Sequence, residues 1–111
     1  MTRTKFNVDE LNIISLEQGN NESDFYAQVH CEISEVGKPG GEAILVYVAG
    51  VERTPHLFAS DSNVLWRPDL LIVKTFDTRE IIGTIQRLVD KGRPENWNQL
   101  QEQLSPYFSW I

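Results

Sequence analysis

The stretch Asp24-Phe25-Tyr26-Ala27-Gln28-Val29-His30-Cys31-Glu32-Ile33-Ser34 decides the fold. Within it Phe25, Ala27, Val29, Cys31 and Ile33 alternate with Tyr26, Gln28, His30, Glu32 and Ser34. Successive side chains of a strand point to opposite faces, so a period of two puts the first row on a buried face and the second on a wetter one. Downstream, Gly37-Lys38-Pro39-Gly40-Gly41 has the composition of a hairpin loop. Residues 43–48 are then apolar on both faces, as a strand in the centre of a sheet should be. Upstream, Gly19-Asn20-Asn21 reads as a turn and the β-branched, apolar-rich residues 11–16 as a first strand.

Residues 52–69 form a long connection with Pro55, Pro68 and the polar run 60–63, the kind of segment that is often functional. Residues 70–76 read as a further strand. Asp77 suits a helix N-cap, with Glu80 three residues on as in a capping box. Ile81, Ile82, Ile85, Leu88 and Val89 then recur at helical spacing. Gly92 falls where a C′ residue is expected, and Pro94 prevents continuation. Trp97, Leu100 and Leu104 mark a second, shorter helix that stops before Pro106, and the aromatic ending 107–111 is expected to dock on the core. Strands first and helices last is the α+β order: a mostly antiparallel sheet of about four strands with two C-terminal helices packed on one face. The length of 111 residues fits a single domain, 1–111, with residues 1–10 loosely ordered.

A hydrophobic fraction of 41% supports one core, and 23% charged residues argue against disorder. The single cysteine cannot make an internal disulfide, and residues 1–10 carry no apolar leader. The longest apolar stretch, 44–49, is far short of the ~20 residues that span a bilayer. Together these features lead us to expect a cytoplasmic chain with no membrane partner. The net charge is -6, yet between Asp9 and Glu42 eight acids face Lys38 alone, a local -7 that holds the entire excess. Such a field repels nucleic acid, so no direct nucleic-acid binding is expected, and it attracts basic partners; it serves equally as a solvated surface.

Chemical motifs are sparse. His30, Cys31 and His56 lack metal-ligand spacing, and His30 and Cys31 belong to opposite faces of one strand. The glycines around Lys38 lack the phosphate-loop spacing and lead into a strand. No catalytic residue, metal or cofactor is expected. Cys31, in the row of Val29 and Ile33, reads as a small core hydrophobe. His30 reads as a surface histidine or as part of a polar-aromatic patch with Tyr26 as anchor and Glu32 as charge contact. Trp66, beside Arg67 and Pro68, reads equally as packed or as an interface anchor.

The order of these features resembles a known family. The alternating strand, Gly-rich hairpin and second apolar strand from Phe25 to Val48 are followed by Thr54-Pro55 with Leu57 and by Leu70-Leu71-Ile72-Val73. Phe76-Asp77, a helix with Ile81 and Ile85, and Trp97 with Leu104 come next, and the chain closes on Tyr107-Phe108-Ser109-Trp110. This pattern is similar to the eighth family of immunity proteins from bacterial polymorphic-toxin and contact-dependent inhibition systems. The resemblance implies a chain that binds and neutralises a cognate toxin domain without catalysing a reaction. The acidic bias then suits a nuclease, which must hold phosphates with Lys and Arg. On that reading the toxin-binding residues are Glu22, Asp24, Tyr26, His30, Glu32, Glu35, Glu42 and Trp66. Two other readings stay open: an acidic adaptor for a non-toxin partner, and a small hydrolase using His30 or His56 with carboxylates.

Overall fold

The computed structural model describes residues 5–58 and 62–111. Residues 1–4 of the segment expected to be loose, and Ser60 and Asp61 of the polar run, lie outside the described residues. The sheet follows the chain as β1 (Phe6–Gln18), β2 (Phe25–Glu35), β3 (Glu42–Gly50) and β4 (Leu70–Val73), with a short β5 (Ser109–Trp110) at the end. β1 and β2, and β2 and β3, pair antiparallel. β4 runs parallel to β3 along Tyr47–Gly50, and β5 pairs antiparallel with Ile44 and Leu45 on the same side of β3. The architecture is the expected α+β, with helices α1 (Thr78–Lys91) and α2 (Trp97–Leu104) both C-terminal. None of the helices of the described residues is long and apolar enough to cross a membrane.

The period of two in β2 is realised as written. Phe25, Ala27, Val29, Cys31 and Ile33 are at most 1% exposed, while the alternate row is half-buried. The inward row meets Ile44, Val46 and Val48 of β3, and Ile81, Ile85, Val89, Leu100 and Leu104 of the helices. Gly37 and Gly40 take φ of 85° and 80° in the β2–β3 turn, a region that favours residues without a Cβ.

β1 is longer than the expected strand and starts at Phe6. Register shifts between Val8 and Glu10 and between Ile13 and Ser15 each insert one unpaired residue. The inward residues are therefore Phe6, Val8, Leu11, Ile13 and Leu16, spaced two, three, two, three, which conceals the strand period. As the outer strand of the sheet, β1 leaves one row of backbone groups without a ladder. Gln86 of α1 covers part of it: its Oε1 accepts from the Val8 amide at 2.8 Å and its Nε2 donates to the Phe6 carbonyl at 2.9 Å.

Two details differ from the sequence reading, the start of the long connection and the end of α1. Part of the long connection, Val51–Leu57, is a 3₁₀ helix containing Pro55. Asp77 does cap α1, accepting from the Glu80 amide at 3.1 Å. At the other end of α1, however, Gly92 has a right-handed φ of -76° and Arg93 takes the left-handed position at φ 49°. Gly92 instead lies against the end of the Gln103 side chain, whose Nε2 donates to the Leu88 carbonyl; a Cβ there would displace that amide.

The aromatic ending docks as expected, with an added strand. Phe108 is buried, and Trp110 pairs opposite Ile44 on the helix-covered face. Trp97 stands between Phe6 (4.8 Å, 68°) and Trp110 (6.4 Å, 75°) in two edge-to-face contacts. Replacing Gln86 with Ala should lower stability by ~1–3 kcal/mol, because it strands two backbone groups at a partly buried edge. Urea unfolding measures the loss, and hydrogen exchange should show the Val8 amide losing protection first.

Candidate interaction face

With both helices on one side, the other side of the sheet is open. Cross-strand partners share a face, so the register fixes its membership. Tyr26, Gln28, His30, Glu32 and Ser34 of β2 face outward beside Glu10, Asn12, Ser15 and Glu17 of β1. Leu45, Tyr47 and Ala49 of β3 complete the floor on the other side.

The two ends of this face differ in charge. At the end where β1 begins, Glu10 lies directly opposite Glu32. Asp9, on the adjoining bulge, accepts from the Ser34 hydroxyl and brings a third carboxylate. Among the described residues no basic group forms an ion pair with Asp9, Glu10 or Glu32. Like charges directly opposite on a sheet destabilise it by a few tenths to ~1 kcal/mol.

At the other end arginines neutralise the acids. Arg53 donates from Nε to Asp24 at 2.6 Å and lies 3.3 Å from Glu17. Arg67 covers two stacked tyrosines, its guanidinium carbon 4.7 Å from the Tyr47 ring centroid and 5.6 Å from that of Tyr26. The rings are 5.8 Å apart and only 17° from parallel. Asp69 in turn lies 3.7 Å from Arg67. Beside this stack Trp66 is 83% exposed.

The residues singled out from sequence thus separate. Tyr26, His30 and Glu32 share the open face. Trp66 is highly exposed and precedes Arg67, which covers the Tyr26 and Tyr47 rings. Asp24 is tied to Arg53, and Glu35 lies 3.5 Å from Lys38 in the hairpin loop. Glu42 accepts from Gln101 of α2 at 3.0 Å, on the helix side. Glu22 sits in the β1–β2 turn, at the opposite end from Glu35 and Glu42. Four participants were not singled out: Asp9, Glu10, Tyr47 and Arg67. Tyr47 had a signal, since a lone tyrosine in an otherwise aliphatic strand marks its polar side. Asp9 and Glu10 were visible as members of the acidic run, but the bulges hid the strand that carries them and so their place opposite Glu32.

His30 and Cys31 point to opposite faces as expected, and burial pushes the Cys31 thiol up to about 12, leaving it inert. Among the described residues no group of three His, Cys, Asp or Glu could hold a metal ion.

The Arg53 guanidinium, joined by the Asn20 amide, holds the Asp24 carboxyl below its ordinary value. An unfolded Asp titrates near ~3.9, so this pairing stabilises the fold above about pH 4 and is lost as the pH falls through the lower folded value. Asp24→Asn should therefore be less stable than the parent near neutral pH. The gap should close as the pH drops below about 4, as read by urea unfolding across the range.

No curated protein and no solved structure matches the chain. A family model described as Immunity protein 8 matches residues 5–111. That span takes in every strand and both helices, so the chain belongs to the Immunity protein 8 family.

Proposed function

We propose that this chain neutralises a nuclease toxin domain in the cytoplasm by laying the open face of its sheet over the toxin's basic active-site surface. The family supports toxin neutralisation in general. The face is supported by one observation above the others: Glu10 and Glu32 confront each other across β1 and β2 with Asp9 alongside and, among the described residues, no ion-paired base. A cationic surface turns that repulsion into attraction. A nuclease carries such a surface because it must hold phosphates. Trp66 supplies an aromatic anchor at the other end, while His30 and Tyr26 lie between. Aromatic anchors give lifetime to a complex, and exposed acids mainly speed its formation. No step of this mechanism needs a covalent reaction, a cofactor or a metal.

The direct test is survival. Cells expressing the toxin domain encoded beside this chain should grow only when the chain is co-expressed. Combining Tyr26→Ala, His30→Ala and Glu32→Ala should weaken the complex by about 10⁴-fold, at ~2 kcal/mol for each desolvated contact, while the domain stays folded. Unchanged affinity would remove the open face from the mechanism. Glu32→Gln alone should separate stability from function. It relieves the opposition with Glu10, so stability should rise by ~0.2–1 kcal/mol in urea unfolding. Association with the toxin should slow at low ionic strength, the difference fading as salt is added.

A further inference from the structure

The helix-covered side is left open at one corner. α1 packs on β1 around Phe6 and Val8, where Gln86 bonds to the strand. Beyond that point Ile13, Ile14 and Leu16 are each about half exposed. Ile13 and Leu16 line a groove of about 440 Å³ with Phe25, Phe76 and Thr75, and Glu22 and Gln18 stand at its rim. The apolar floor is thus bounded by one charge, and that charge is negative. Alongside runs the outer edge of β1. The bulge at Ile14 divides this edge, and its second run, residues 15–18, borders the groove with no backbone partner on that side among the described residues.

We infer that this corner receives an extended segment of a partner protein, added along residues 15–18, with an apolar side chain seated between Leu16 and Phe76 and lysine or arginine at the flanking positions. The polarity follows from charge. Glu22 is the one charged residue lining the groove, and no ion pair engages it among the described residues. A second copy is a poor occupant, because its own β1 brings no lysine or arginine from Phe6 to Gln18 to meet Glu22. A basic segment meets attraction there, and strand addition supplies main-chain hydrogen bonds while the groove selects the side chain. For the partner's identity as the toxin, the inference rests on the immunity reading; for the chemistry of the occupant it does not.

The test uses the full chain and short synthetic peptides, so it is independent of toxin protection. A seven-residue peptide alternating Lys and Val, the same peptide with Glu for Lys, and a Lys form N-methylated at alternate amides are titrated into isotope-labelled protein. The Lys peptide should shift the amide resonances of residues 15–18, Glu22 and Phe76 saturably and bind at least tenfold tighter than the other two. Leu16→Arg should abolish the shifts, with its own spectrum showing that the domain is folded. Equal binding of the Glu or N-methylated peptide, shifts confined to the open face, or no binding would overturn the inference. So would concentration-dependent shifts of the same amides without peptide, since the occupant would then be a second copy. Each of these failures leaves the survival test untouched.

Discussion

The burial of one row of β2 constrains everything else. Phe25, Ala27, Val29, Cys31 and Ile33 are sealed against β3 and the helices. Because the side-chain period of a strand is two, sealing that row fixes the opposite row as the outer surface. A slip of one residue would bury His30 and Glu32 without partners and expose Val29 and Cys31, at a cost of several kcal/mol for each buried polar group. The outward position of Tyr26, His30 and Glu32 is thus a consequence of core packing. It also explains why adjacent residues as reactive in principle as His30 and Cys31 cannot cooperate.

The parts of the fold that were legible are those where local pattern and tertiary packing agree: β2, the hairpin loop, β3, and α1 with its Asp77 cap. β1 was half legible, because two bulges broke its alternation into steps of two and three. That gap left Asp9 and Glu10 legible only as charge and hid the opposition to Glu32. Gly92 misled for a different reason. It lies against the end of the Gln103 side chain, a contact between helices that no local rule encodes. β5 is too short to carry a period of its own and exists because Ile44 and Leu45 leave a free edge beside β4.

Charge was legible as an amount and illegible as an arrangement. The acidic run looks continuous in sequence, yet a strand rises ~3.3 Å per residue, so the two ends of β2 lie more than ~30 Å apart. Antiparallel folding moves Glu10 next to Glu32 and leaves Glu17 and Asp24 at the far end with Arg53. The same number of carboxylates therefore makes two different surfaces. One is internally neutralised and holds the β1–β2 turn against the 3₁₀ segment. The other is uncompensated and is the place where a positively charged partner gains most.

The features that carry the family likeness and those suited to recognition lie on opposite sides of the sheet. Trp97, Leu104, Phe108 and Trp110 all pack on the helix side, where Trp97 links the start of β1 to the C-terminal strand through Phe6 and Trp110. Exchanging Glu32, His30 or Trp66 leaves those aromatic contacts intact, and exchanging a core aromatic leaves the charge of the open face intact. A scaffold divided this way can keep its fold while the charges of its outer face are altered. The core aromatics and the outward charges can therefore vary independently of one another.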